Sequence, residues 1–174
     1  MHRVLFIAAL FAGLAILAGC GKRVPVETPP LTLDDLLPKR AQPKLPTLKI
    51  YLGAETLDAE LAVTREQEMT GMMFRTNIAE TDAMLFIFPA PRQAAFWMKN
   101  CPEPLSAAYI DPAGVIAEIR HFEANNTNAV VAASDNIQYI LEVKEGWFAR
   151  HGISPGTVIR TERGSLAQTF FGKN

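Results

Sequence analysis

The arrangement of apolar and polar positions changes character at Thr47. From there, Leu48-Lys49-Ile50-Tyr51-Leu52 predicts a first strand, and Gly53 opens a turn. Leu57, Ala59, Leu61 and Val63 then alternate with Thr56, Asp58 and Glu60, the period-two signature of a half-buried strand. Thr64-Arg65-Glu66-Gln67 matches a capping box, in which Thr64 accepts from the third helical amide while Gln67 reaches back. A short helix follows, with Met69, Met72 and Met73 on neighbouring turns and Gly71 weakening or ending it. The densest stretch runs from Met84 to Asp111, where Pro89, Pro91, Pro102 and Pro104 rule out a long helix. It reads as strand, turn, strand, crank, strand. Asp111-Pro112-Ala113-Gly114 suits a type I turn and predicts a hairpin joining residues 105–110 to 115–122. Residues 123–136 are small and polar, a long surface loop. Alternation returns with Ile137, Tyr139, Leu141 and Val143, followed by about one and a half helical turns at 145–150 with Gly152 as a left-handed cap. A last strand covers 158–161; the tail at 165–174 reads as frayed, with no assignment for Phe170-Phe171.

These elements predict an α+β domain, mainly β, over residues 47–164: a curled sheet or small barrel with short helices. The 174 residues suffice for one such domain with a proper core.

The N-terminus has a different character. Arg3 precedes the uncharged apolar run Val4 to Ala18, which is of signal-peptide type and too short for a comfortable membrane span. The run ends in Leu17-Ala18-Gly19-Cys20, which resembles the bacterial lipobox. That resemblance implies cleavage after residue 19 and acylation of Cys20, a palmitate-type anchor whose several chains hold the protein stably at a membrane. Gly21 follows, which in the enterobacterial pattern points to the outer membrane and a domain facing the periplasm. Residues 20–46 contain half of the 12 prolines and predict a semi-rigid, lipid-anchored tether. Within it, Leu31 to Leu37 forms either one helical turn or a local apolar cluster without a partner.

Seventeen Lys and Arg against 18 Asp and Glu give a net charge of −1, without a basic stripe, so nucleic acid is not an expected partner. Acylation would remove one of the two cysteines, leaving Cys101 without a partner for a disulfide.

Several segments taken together are similar to one family. Thr70-Gly71-Met72-Met73-Phe74-Arg75, Met84 to Phe88, Phe96-Trp97-Met98-Lys99-Asn100, Pro104-Leu105 and Tyr139 to Val143, then Gly146 and Gly152-Ile153, resemble in order and spacing the DUF192 family, over roughly residues 48–162. The resemblance implies a compact, mainly β domain and supplies no activity. This chain departs from the family pattern at Thr70 (usually basic), Cys101 (usually Thr), Glu103 (usually apolar) and Ser106 (usually acidic). The departures after the Trp-Met-Lys-Asn core are where a function special to this copy is expected.

Candidate chemistry gathers around that core. One reading places Trp97, Lys99, Asn100 and Arg75 around a pocket for an anionic or sugar-like ligand, with Glu142 standing out among apolar neighbours. The plainer reading has Asn100 satisfying a turn, Lys99 laying its stem on apolar surface, and Arg75 pairing with Glu142 or Asp82. Cys101 reads as a small packed residue, since neither His121 nor His151 shares a motif with it. Met69, Met72, Met73, Met84, Met98, Cys101 and His121 are donors suited to copper(I), but the first three have the spacing of a core stripe, so no metal site is assigned. No phosphate-binding loop, nucleophile elbow or carboxylate pair stands out, and no cofactor is expected.

The sequence therefore predicts a membrane-anchored envelope lipoprotein acting as a non-enzymatic binding or interaction module. Its partner would be an envelope glycan, a small anion or an envelope protein. An enzyme acting on envelope glycan and a copper-handling protein are the alternatives.

Overall fold

A computed structural model describes residues 30–172, so the predicted signal peptide, Cys20 and the start of the Pro-rich segment lie outside the described residues. The chain divides at Thr32–Leu33, and the architecture belongs to the second unit. Its elements in order are α1 (Leu33–Leu36), β1 (Thr47–Leu52), β2 (Glu55–Ala62), α2 (Arg65–Thr70), β3 (Ala83–Arg92), β4 (Ala95–Phe96) and β5 (Leu105–Ile110). These are followed by β6 (Ile116–Phe122), β7 (Val130–Val131), β8 (Ile137–Lys144), α3 (Trp147–Arg150), β9 (Ile159–Thr161), β10 (Gly164–Ser165) and α4 (Leu166–Phe171).

Eight strands form one sheet in the order β10-β9-β1-β2-β3-β8-β5-β6, while β4 and β7 form a separate ribbon. Every pairing in the large sheet is antiparallel except β2 with β3, whose parallel register requires the crossover that α2 supplies. The sheet curls until its ends meet at one place. There, Val115 bridges Val158, the Ile159 amide donates to the Gly114 carbonyl at 2.8 Å, and the Ile116 amide donates to Thr157 at 2.9 Å. Gly114 has φ +83 and a Cβ there would stand 2.9 Å from the Ile159 carbonyl oxygen, so the seam needs glycine. The result is the mainly β, curled, barrel-like α+β architecture that the pattern predicts.

The two faces of the sheet carry separate cores. Ile50, Leu52, Leu85, Tyr139, Leu141 and Trp147 fill the concave side. Met84, Phe86, Phe88, Tyr109 and Ile140 stand on the convex side, beneath Met72, Met73, Ile78 and Met98 from the long connections. Having both faces covered changes the meaning of the β8 alternation. The pattern suggests a half-buried strand, yet Ile137 to Val143 are all buried, so the polar residues on its second face, Gln138 and Glu142, are buried too.

Three local readings are revised. The helix at 145–150 begins only at Trp147, because Gly146 takes φ 70 ahead of it. The tail is not frayed through residue 171: Ser165 and Gln168 make a reciprocal capping box for α4. Phe170 and Phe171 then lie 6.2 and 6.3 Å from the Tyr139 ring, closing the concave core. The Pro-rich segment also joins the domain before Thr47. Leu37 is 8% exposed, and Gln42 donates to the carbonyls of Gln67 and Gly71 at 3.3 and 3.0 Å, at the C-terminal end of α2.

Candidate functional site

Strand register sets the frame of the site. Glu60 on β2 pairs with Met84 on β3, Met84 with Glu142 on β8, and Glu142 with Ala107 on β5. The two glutamates thus share one crosswise row of the convex face, separated by a methionine and roughly 10 Å, two strand spacings. Their environments are opposite.

Glu60 is fully satisfied. Arg75 donates to its two carboxylate oxygens at 2.6 and 2.8 Å, and the Leu45 amide adds a bond at 2.7 Å. Burial works against the charge on Glu60, but the Arg75 and Leu45 hydrogen bonds outweigh it and hold the carboxyl below its ordinary range. The partner of Arg75 is therefore Glu60, rather than Glu142 or Asp82.

Glu142 is only 4% exposed, and its carboxyl makes no hydrogen bond among the described residues. Burial, partly countered by the charge of Arg75, pushes it up to about 8. It lines a cavity of about 750 Å³ that opens on the convex face. Phe86, Phe96 and Trp97 contribute aromatic surface, with Phe96 set edge-on to Phe86 at 4.9 Å. Met72, Met73 and Cys101 line it as well. Toward solvent, Arg92 pairs with Glu68 at 3.6 Å and lies 3.7 Å from the centre of the Phe88 ring. Leu36 and Leu37 complete the wall, so the end of the Pro-rich segment is part of the site.

The predicted site residues thus separate. Trp97 and Glu142 meet in the cavity, whereas Arg75, Lys99 and Asn100 do not line it. Lys99 forms an ion pair with Asp34 of α1, its Nζ 5.7 Å from the Trp97 ring centre. Asn100 adopts φ 61, a left-handed conformation that asparagine tolerates, and its carbonyl accepts from the Phe74 amide at 2.7 Å. The residues that depart from the family pattern also part company. Cys101 borders the cavity, with burial and then the Glu142 charge raising its thiol to about 12. Glu103 clamps the amides of Asn77 and Ile78, and Ser106 accepts from the Gly146 amide at 2.9 Å; both do structural work.

His121 and His151 do not line the cavity: His121 faces Glu145 at 3.1 Å, and His151 lies between Glu55 and Glu80 at 3.2 and 3.3 Å. Among the described residues, no group of three or more His, Cys, Asp or Glu is placed to hold a metal ion. Sequence reasoning missed Glu60, Phe86, Phe96 and Leu37. Parity on β2 and β3 would have put Glu60 and Phe86 on one face, but which face receives a cover is a long-range matter.

The family model for DUF192, described as "Uncharacterized ACR", matches residues 48–161. The chain belongs to the DUF192 family. No curated protein matches the chain. A crystal structure of a Sinorhizobium meliloti 1021 protein described as a "putative transcription regulator" is similar, with 28% identity and a TM-score of 0.65 over 70% of this chain and 98% of that one. A protein of unknown function from Novosphingobium aromaticivorans DSM 12444 is similar at 25% identity and a TM-score of 0.64, over 76% of this chain and 99% of that one. Neither description names a ligand or a reaction.

Proposed function

We propose that this DUF192 protein is a non-enzymatic ligand-binding module, held at the bacterial cell envelope by acyl chains on Cys20, with its domain facing the periplasm. The observation that carries the binding reading is the cavity of about 750 Å³ on the convex face, mostly apolar in its lining, with Glu142 buried in its wall and not hydrogen-bonded. Ligand sites are concave, largely apolar and furnished with a few placed polar groups, and this volume suits a small organic molecule.

The same residues weigh against catalysis. Nucleophilic chemistry needs an activated group with a base in reach. Cys101 is instead a thiol raised to about 12, and neither His121 nor His151 lines the cavity. A glycan would meet a wall poor in hydrogen-bonding groups, so the supported ligand has an apolar body and a single polar end. A role in transcription regulation, the description given to one similar protein, gains no support from the sequence, which carries no basic stripe and a net charge of −1.

A thermal-shift screen of small amphiphiles against the purified protein tests the reading. Stabilisation that disappears when Phe96→Trp narrows the cavity is the expected result. Stabilisation by no amphiphile, with the parent well folded, would overturn it. Globomycin-sensitive processing and loss of membrane attachment in Cys20→Ala test the anchor.

A further inference from the structure

Resting on the binding reading above, we propose that the cavity recognises an organic cation: an amine or alkylammonium group on an apolar body, with its charged end between Glu142 and the rings of Phe86, Phe96 and Trp97.

Arg75, whose charge acts on Glu142, has both terminal nitrogens on Glu60 at 2.6 and 2.8 Å. Arg92, at the outer edge of the cavity, is engaged by Glu68 and the Phe88 ring. Arg65 also borders the cavity, but at an exposed position, so what remains buried in the wall is one carboxyl, 4% exposed, with no donor on it among the described residues. A buried polar group of this kind is costly unless something satisfies it. Aromatic surface beside it suits the same guest, because ring faces attract cations, and the attraction grows when water is excluded.

Other ligand chemistries fit less well. An anion would find one carboxyl proton and no buried cation in this enclosure, and a neutral polyol would lose hydrogen bonds that the walls do not replace. Burial holds the empty Glu142 as the neutral acid below about pH 8. A cation entering at neutral pH therefore expels that proton to solvent and takes its place beside the carboxylate. The ionisable groups around Glu142 are Arg75 before β3, Cys101 ahead of β5, Tyr109 on β5, and Arg65, Glu68 and Arg92 along the cavity. Cys101 and Tyr109 are held protonated, and Glu68, which burial also raises, is paired with Arg92, so Glu142 is the unpaired carboxyl whose titration the ligand feels.

The test is isothermal titration of the full chain in nonionic detergent with three probes sharing one body: 4-phenylbutylamine, 4-phenylbutanol and 4-phenylbutyrate. The amine should bind about tenfold more tightly than the alcohol, the butyrate more weakly than either, and amine binding should release a proton, read from its heat in buffers of different ionisation enthalpy. Glu142→Gln keeps the shape of the site without an ionisable group; it should abolish the amine's advantage over the alcohol. Trp97→Ala, at a partly exposed position that folding tolerates, should weaken the amine more than the alcohol. Equal binding of amine and alcohol, or an advantage that survives Glu142→Gln, overturns the cation proposal while leaving the binding module in place. Binding of none of the three overturns both.

Discussion

Arg75 grips Glu60 through both carboxylate oxygens, at 2.6 and 2.8 Å, with the two side chains 13% and 6% exposed. This fork joins the loop after α2 to β2, and the Leu45 amide on the same carboxylate adds the incoming chain. Removing one partner leaves the other as an uncompensated buried charge. Arg75→Met or Glu60→Gln should therefore cost roughly 3–5 kcal/mol, while Arg75→Met with Glu60→Leu costs less than the sum. Urea unfolding of the four proteins checks this; additive losses would show that the pair is not coupled. Because Glu60 is held below its ordinary range, its contribution is present at neutral pH and fades as pH falls through the acid range.

Glu142 has the opposite sign. Its folded value lies at about 8 against an ordinary 4.5, so the native state keeps a proton that the unfolded chain has already lost. Stability is therefore fully present below the ordinary value and falls as pH rises toward 8, at about 1.4 kcal/mol per pH unit traversed. Glu142→Gln cannot ionise and should escape that decline. The melting temperatures of parent and variant should run together near pH 4.5 and diverge by pH 9, with the variant higher. Parallel curves across the range would remove the buried-carboxyl account.

What the residue pattern reveals and conceals divides along physical lines. The strands from Leu48 to Leu52 and Ile137 to Val143 are legible because period-two alternation is written locally, and the Thr64–Gln67 capping box forms as read. The same local signal stands at Ser165 and Gln168, with Leu166 and Phe170 one turn apart behind it, but a six-residue helix is too short for its periodicity to stand out. The depth of Glu142 could not be read locally. Alternation implies one wet face, and the cover over that face comes from segments distant in sequence, around Met72 and Met98. Trp97 and Glu142 were legible as unusual residues, but Phe86 and Phe96 looked like ordinary core, and in part they are.

Asn100 distinguishes a structural role from a recognition role within the Trp-Met-Lys-Asn core. Its φ of 61 and the Phe74 amide on its carbonyl are backbone properties, and its side chain does not line the cavity. Asn100→Gly should be nearly neutral in stability and ligand affinity, whereas Asn100→Val should cost about 1–2 kcal/mol by forcing a branched side chain into the left-handed region. Loss of affinity in a well-folded Asn100→Gly protein would return this side chain to the binding site.

The end of the Pro-rich segment should behave as part of the domain. Leu37 lies in the convex core with Leu45 packed against the same cluster, Gln42 caps α2, and the Leu45 amide serves Glu60. Burial of one leucine and three modest hydrogen bonds together amount to about 3–5 kcal/mol. A soluble version starting at Thr47 should accordingly unfold at lower urea than one starting at Leu33, and it should also lose part of the cavity wall, since Leu36 and Leu37 go with it. Leu37→Asp in the longer version separates the two effects: it keeps the Gln42 and Leu45 bonds while placing a charge beside the cavity. Its unfolding midpoint should fall between those of the two lengths, and affinity for a neutral amphiphile should drop in both altered proteins. Equal midpoints for the two lengths would mean that the segment rests on the domain without supporting it, leaving β1 as the domain's true beginning.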